Sequence, residues 1–197
     1  MQVAIVKYNA GNIQSVVFAL QRLGVEPIIT DNAELLRSAD RVIFPGVGEA
    51  SSAMQYLKSK ALDKVIRSLH QPVLGICLGL QLLCRHSEEG NTDCLGIFDV
   101  EVKAFDRKGS LKVPHVGWNT IEALHSPLMI GIEAPAYMYF VHSYYAEWEP
   151  RYAIARCEYG VPFSAGLHKN NFYAVQFHPE KSAKAGSQLL ENFLKMP

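Results

Sequence analysis

Pro72-Val73-Leu74-Gly75-Ile76-Cys77-Leu78-Gly79 decides the fold of this chain. The apolar run after the proline shows no alternation with polar residues. A strand of that kind is buried on both faces, as in a parallel sheet covered by helices on each side. Beyond Cys77 the pattern turns helical through Leu83, so the strand runs directly into a helix. Cys77 sits at the junction, flanked by Gly75 and Gly79.

The same grammar recurs on the N-terminal side. Residues 3–6 read as a first buried strand. Ile13, Val16, Val17, Leu20 and Leu23 then recur at helical spacing, with Asn12 as a cap and Gly24 as a stop. Strands are expected over 27–30 and 41–44, a short helix over 33–38, and helix over 49–70 with a break near Ser59. The third strand ends on Pro45-Gly46-Val47-Gly48. From Ile97 onward strands and turns take over, at 98–105, 118–121, 137–141, 152–157 and 172–177, before a last helix over 186–196. The expected fold is α/β: a mostly parallel sheet with helices on both faces, plus an added antiparallel sheet in the second half. At 197 residues, with no repeat or linker rich enough to divide it, the chain reads as one domain over 1–197.

Lys plus Arg and Asp plus Glu are 19 each, a formal net charge of zero. Nucleic acid and anionic membrane surfaces favour a basic excess, so neither is expected as the main partner. No apolar run approaches the ~20 residues of a membrane span. The start, Met1-Gln2-Val3-Ala4-Ile5-Val6-Lys7, reads as a strand and not as a signal peptide. The four cysteines, Cys77, Cys84, Cys94 and Cys157, contain no C-x-x-C pair, which disfavours zinc and thioredoxin-type sites and points to a reducing, cytoplasmic setting.

A nucleophile between glycines at a strand-to-helix turn is the cysteine form of the nucleophile elbow. The turn lifts the side chain above the sheet, and the helix N-terminus favours the thiolate. The Leu78 N–H is placed to donate to a developing oxyanion. Read alone, the string fits a buried structural cysteine equally well. A thiol nucleophile also needs a base. His178 ends the strand-like run Tyr173-Ala174-Val175-Gln176-Phe177 and is followed by Pro179-Glu180. In an extended stretch His178 and Glu180 share a side, so the carboxylate can orient the ring; a surface turn is the plain alternative. The His-x-Glu string lacks the Pro-Cys-x-x-Cys half of a zinc deaminase, so no metal is expected. His142 ends another strand and suits either a pocket lining or a structural role.

Gly75-Ile76-Cys77-Leu78-Gly79-Leu80-Gln81 together with Gln176-Phe177-His178-Pro179-Glu180-Lys181-Ser182 resembles the class I, triad-type glutamine amidotransferases, which are flavodoxin-like in fold. Pro45-Gly46-Val47-Gly48, Pro114-His115-Val116-Gly117-Trp118-Asn119 and Phe140-Val141-His142-Ser143-Tyr144-Tyr145 are similar to the glutaminase subunits of imidazole glycerol phosphate synthases within that family. The anthranilate-type relatives usually carry Pro-Gly-Pro-Gly at the first of these strings and lack Gly-Trp-Asn. One departure is Lys7-Tyr8-Asn9, where the family often has Asp-Tyr.

The resemblance implies Cys77 as nucleophile, His178 as acid and base and Glu180 as its orienter. It also implies Gly46, Val47 and Gly48 as an oxyanion strand working with Leu78. Gln81 would contact bound glutamine, and the backbone at Ser143 and Tyr144 would hold its α-carboxylate. No cofactor is implied. The implied partner is a cyclase subunit with a (β/α)₈ barrel, forming a heterodimer that receives ammonia, with Asn12, Trp118, Asn119 and Lys181 on the shared face. The competing readings are a glutaminase serving an anthranilate or pyridoxal phosphate synthase, a silent regulatory subunit, and a cysteine hydrolase or peptidase acting alone. The two glycines around Val47 further suggest that its peptide rests with the N–H turned away from Cys77, leaving only the Leu78 N–H in place.

Overall fold

Val3 and Ile5 are buried on one side of a sheet, and Ala4 and Val6 are buried on the other. That division, repeated in the neighbouring strands, is why their sequences show no polar alternation. The structure, a computed structural model, describes residues 1–9, 11, 13–106, 111–123, 125–133 and 135–196. The expected cap at Asn12 lies outside them.

The first half alternates strand and helix: β1 (Val3–Val6), α1 (Ile13–Arg22), β2 (Ile28–Thr30), α2 (Ala33–Ser38), β3 (Arg41–Phe44), α3 (Ala50–Ser59), α4 (Leu62–Arg67), β4 (Val73–Ile76) and α5 (Leu78–Leu83). The expected break near Ser59 falls between α3 and α4, where Ala61 takes a left-handed backbone. Two short strands follow, β5 (His86–Ser87) and β6 (Thr92–Asp93). Then come β7 (Glu101–Ala104), β8 (His115–Ala123), β9 (Ala136–His142), β10 (Tyr144–Ala146), β11 (Ala153–Tyr159), β12 (Val161–Lys169), β13 (Phe172–Val175) and α6 (Ala183–Lys195).

The main sheet has the order β2-β1-β3-β4-β13-β12-β11-β8-β9. Its first five strands are parallel. The remaining four join antiparallel to the same sheet and extend it. A second, smaller sheet, β10-β7-β5-β6, is mixed. The nine-residue strand β12 has no counterpart in the sequence reading, because Pro162, Ser164 and Gly166 break the apolar run that would mark it.

Two apolar clusters cover the main sheet. Val16 and Leu20 of α1 and Leu189 and Phe193 of α6 pack on one face. Leu36, Met54, Leu57, Ile66 and Leu80 pack on the other. β13 lies parallel to β4, with Val175 beside Ile76, and Cys77 N–H donates to Val175 O at 2.8 Å. The chain leaving β13 therefore emerges next to the chain leaving β4.

Gly186 of α6 sits under the turn that follows β13. A Cβ there would collide with the Pro179 carbonyl oxygen. Helix propensity alone favours Gly186→Ala by about 1 kcal/mol. The contact reverses the sign, so Gly186→Ala is expected to lower the melting temperature, and a rise would show that the turn can move away from the helix.

Candidate active site

Cys77 adopts φ 54° and ψ −107°, a conformation L-residues rarely take. Its neighbours explain how the strain is held. A Cβ on Gly79 would overlap the Phe44 carbonyl of β3, and one on Gly75 would meet the Gly79 backbone at 3.0 Å. With both positions reduced to glycine, α5 sits directly on the sheet and the turn at Cys77 must be tight. The thiol is buried, donates to Val141 O at 3.7 Å, and accepts from Gln176 Nε2 at 3.7 Å. Gln176 is wholly buried and was not singled out from sequence; its signal was the polar residue inside an otherwise apolar strand end.

His178 and Glu180 are brought together, though not as extended-strand neighbours. Pro179–Lys181 forms a 3₁₀ turn, and this turn places His178 Nδ1 2.8 Å from Glu180 Oε1. β13 ends at Val175, three residues before His178, and the fixed φ of Pro179 suits the first position of a helical turn. The two side chains are almost fully buried. His178 Nε2 has no partner at hydrogen-bonding geometry among the described residues. Burial disfavours the imidazolium, but the nearby Cys77 and the hydrogen-bonded, charged Glu180 outweigh it and raise the His178 pKa to about 10.

A cavity of about 250 Å³ opens beside Cys77, lined by Val47, Gly48, Leu78, Gln81, Ser143 and Tyr144 among others. This is below the ~300–1,000 Å³ of drug-sized sites and suits a single amino acid. Gln81 is buried and donates to Tyr144 O at 3.0 Å and Gln176 Oε1 at 3.2 Å. The cavity wall also carries Glu89, which sequence reasoning missed. Its carboxylate accepts from the Ala50 N–H at 2.8 Å, and burial raises its pKa.

The Leu78 N–H does not stand open as expected. It donates to Gly46 O at 3.2 Å. A helix-terminal N–H has no intrahelical acceptor, and the nearby carbonyl satisfies it. In a trans peptide the C=O and N–H point in opposite directions, so the Val47 N–H is directed away from Leu78 N. Tyr8 Oη donates to Pro45 O at 2.5 Å, and Gly11 N–H donates to Val47 O at 3.1 Å, which holds the segment at both ends.

The chain matches the family model of class-I glutamine amidotransferases over residues 4–196. It belongs to that family. The amidotransferase is 58% identical, over the full length of both chains, to a protein of Bacteroides fragilis (strain YCH46) named imidazole glycerol phosphate synthase subunit HisH. A protein of the same name from Idiomarina loihiensis is 47% identical over 196 residues, 100% of this chain and 98% of its own. A crystal structure described as a glutamine amidotransferase matches in fold, with a TM-score of 0.75 at 19% identity over 98% of this chain and 97% of that one.

The four residues expected at a partner face divide. Trp118 is 52% exposed and stands edge-on to Tyr139, with ring centroids 5.8 Å apart. Lys181 is exposed, its Nζ 5.9 Å from the same Tyr139 ring. Asn119 instead shares a strand face with His115, and its amide donates to Glu158 O at 3.0 Å, because strand alternation turns it inward. Asn12 lies outside the described residues. Tyr139 is bound to the His178 segment through its backbone: His178 N–H donates to Tyr139 O at 2.8 Å, and Tyr139 N–H donates to Ser182 Oγ at 2.9 Å. Among the described residues no helix is long and apolar enough to cross a membrane.

The histidines of the amidotransferase give its stability a defined pH profile. An unfolded His titrates near 6.5. With its folded pKa raised to about 10, His178 contributes stability that is complete below pH 6.5 and is lost as pH rises through about 10. Burial lowers His115 to about 4 and His142 to about 3, so on acidification the unfolded chain takes up protons that the folded one refuses. Urea unfolding across pH 4–10 should show maximal stability near neutrality. His178→Asn should flatten the alkaline slope alone; an unchanged slope would contradict the assignment.

Proposed function

We propose that this chain is the glutaminase subunit of an imidazole glycerol phosphate synthase, which releases ammonia from glutamine and passes it to a cyclase partner in histidine biosynthesis. One conjunction carries the reading. Full-length similarity to subunits of that synthase coincides with Cys77 in the wall of an amino-acid-sized cavity, near a buried His178–Glu180 pair.

The Cys77 thiolate attacks the side-chain amide carbon of glutamine. The tetrahedral oxyanion collapses as the His178 imidazolium gives its proton to the leaving nitrogen, and ammonia departs. A γ-glutamyl thioester remains on Cys77. Neutral His178 then takes a proton from water, the hydroxide attacks the thioester carbon, and glutamate leaves as the thiolate re-forms. Glu180 holds Nδ1 of the ring throughout. Glu89, the one carboxylate among the described residues of the cavity wall, complements the α-ammonium group, and the Ser143–Tyr144 backbone with Gln81 receives the rest of the amino acid. The reaction needs the Gly46–Val47 peptide to turn over. That rotation frees the Leu78 N–H from Gly46 O and brings the Val47 N–H toward the oxyanion, with Gly46 and Gly48 absorbing the backbone change. An oxyanion donor of this kind is worth ~3–4 kcal/mol.

Ammonia released into water is protonated and lost as a nucleophile, which favours transfer inside a complex. The outer face of β8 and β9 exposes Val116, Trp118 and Tyr137, an apolar patch connected through Tyr139 to the His178 segment. This is the surface we assign to the cyclase, a (β/α)₈ barrel in a heterodimer, with Lys181 at its margin.

Cys77→Ala should abolish glutamate release while the complex still makes product from added ammonium. Loss of the ammonia-dependent reaction in a folded, partner-bound variant would remove the thiol from the amide step alone. Trp118→Ala should weaken the acceleration of glutamine hydrolysis by the cyclase ligand, by roughly tenfold or more if Trp118 is an interface anchor, with the melting temperature little changed. Full acceleration in that variant would move the coupling surface elsewhere.

A further inference from the structure

The inner face of β8 and β9 carries two buried histidines that the reaction above does not use. His115 and His142 are directly paired across the two strands. His115 Nδ1 lies 2.9 Å from His142 Nε2, and His142 Nδ1 lies 2.8 Å from Tyr144 O. Asn119 Nδ2 lies 3.4 Å from His115 Nε2. The Asn119 carboxamide is oriented by two further bonds, Nδ2 to Glu158 O at 3.0 Å and Thr120 N–H to Oδ1 at 2.8 Å.

Donor and acceptor capacity settles every proton in this row. A carbonyl only accepts, so His142 carries hydrogen on Nδ1 toward Tyr144 O. In a neutral ring Nε2 is then bare and accepts from His115 Nδ1–H. His115 Nε2 is bare in turn and accepts from the Asn119 amide. A second proton on either ring would set two donors against each other. Burial acts in the same direction, holding both rings neutral with pKa values of about 4 and about 3. The His115 ring is further confined between Tyr159, at 3.9 Å and 17°, and Phe140, at 4.8 Å and 21°.

The row ends at the substrate cavity. Tyr144 O, which accepts from His142, also accepts from Gln81 Nε2 at 3.0 Å. His142, Tyr144 and Gln81 all line the cavity. We propose that His115 and His142 are positioning residues, a one-directional hydrogen-bond relay that fixes the Tyr144 carbonyl, and through it Gln81, at the glutamine-binding wall. The inference rests on the glutaminase reading for its substrate. The pair takes no part in proton transfer: all four ring nitrogens are engaged, and His178 alone serves Cys77.

Two substitutions at one position test it. An asparagine amide nitrogen falls close to the place of imidazole Nδ1, so His142→Asn keeps a donor for Tyr144 O. A glutamine amide reaches the place of Nε2, so His142→Gln meets His115 but leaves Tyr144 O without that donor. Glutamate release is measured with the full chain in complex with its cyclase subunit. The expected result is a KM for glutamine near wild type in His142→Asn and raised by about tenfold in His142→Gln, the change one ordinary hydrogen bond allows. In both, kcat should stay within about threefold, since the relay touches no reacting atom. Equal KM values in the two variants, or loss of kcat with KM unchanged, would overturn the proposal. A second readout needs no turnover. Long-range ¹H–¹⁵N spectra of the histidine-labelled wild-type chain at neutral pH should show both rings as Nδ1–H tautomers. An Nε2–H tautomer on either ring would overturn the relay. A wild-type complex that releases no glutamate would instead refute the glutaminase reading, and the spectrum would then judge the relay alone.

Discussion

The site depends on how closely α5 approaches β3. Gly79 lies against the Phe44 carbonyl with no room for a Cβ, and Gly75 faces the Gly79 backbone. That approach compresses the turn between β4 and α5 and holds Cys77 at φ 54°, ψ −107°. Strain of this order, about 1–3 kcal/mol, survives only where surrounding packing determines the backbone. Here Leu80, Leu82 and Leu83 are fully buried around it. The same approach places the Leu78 N–H beside the Gly46–Val47 segment, so the Cys77 turn, the helix terminus and the Gly46–Gly48 segment are set by one contact.

Strand order supplies the rest. β13 lies beside β4 in parallel register, and the two chains leave the sheet at the same edge. The 3₁₀ turn after Phe177 then folds Glu180 back onto His178. Ser182 Oγ ties this turn to β9 by accepting from Tyr139 N–H and donating to His178 O at 2.7 Å. The imidazole is therefore anchored to the strand pair that also carries Trp118 and the buried histidines. The two faces of β8–β9 have different chemistry because alternate residues point opposite ways. Val116 and Trp118 stand outward, and His115 and Asn119 stand inward.

The segment Gly46-Val47-Gly48 occupies the crossing of these parts. Its carbonyl at Gly46 satisfies the helix terminus, and its N–H at Val47 points elsewhere. The reaction we propose requires the opposite arrangement. The hydrogen bond from Leu78 N–H to Gly46 O separates the two arrangements, while the bonds to Gly11 N and Tyr8 Oη hold the flanking peptides. Such a bond is worth about 0.5–1.5 kcal/mol net, a small difference between the two arrangements.

Local sequence alone determined the parallel half of the fold, because unalternated strands such as Val3–Val6 and Val73–Ile76 are stable only when buried on both faces. It also determined the cysteine turn, since two glycines around a cysteine at a strand end describe a close approach before any partner is known. Cys77, His178 and Glu180 were legible as site candidates for the same reason: each stands where a regular pattern stops. Three features were decided by tertiary structure. β12 was hidden because its Pro162 and Gly166 are tolerated only by the neighbours it meets in the sheet. Glu89 reached the cavity through a loop that packs on the start of α3, a contact with no periodicity to announce it. Asn119, His115 and His142 acquired their contacts from register, since one strand face differs from the other only after β8 and β9 are paired. Short-range spacing carries backbone form, whereas the direction of a side chain across a long-range contact exists only in the assembled sheet.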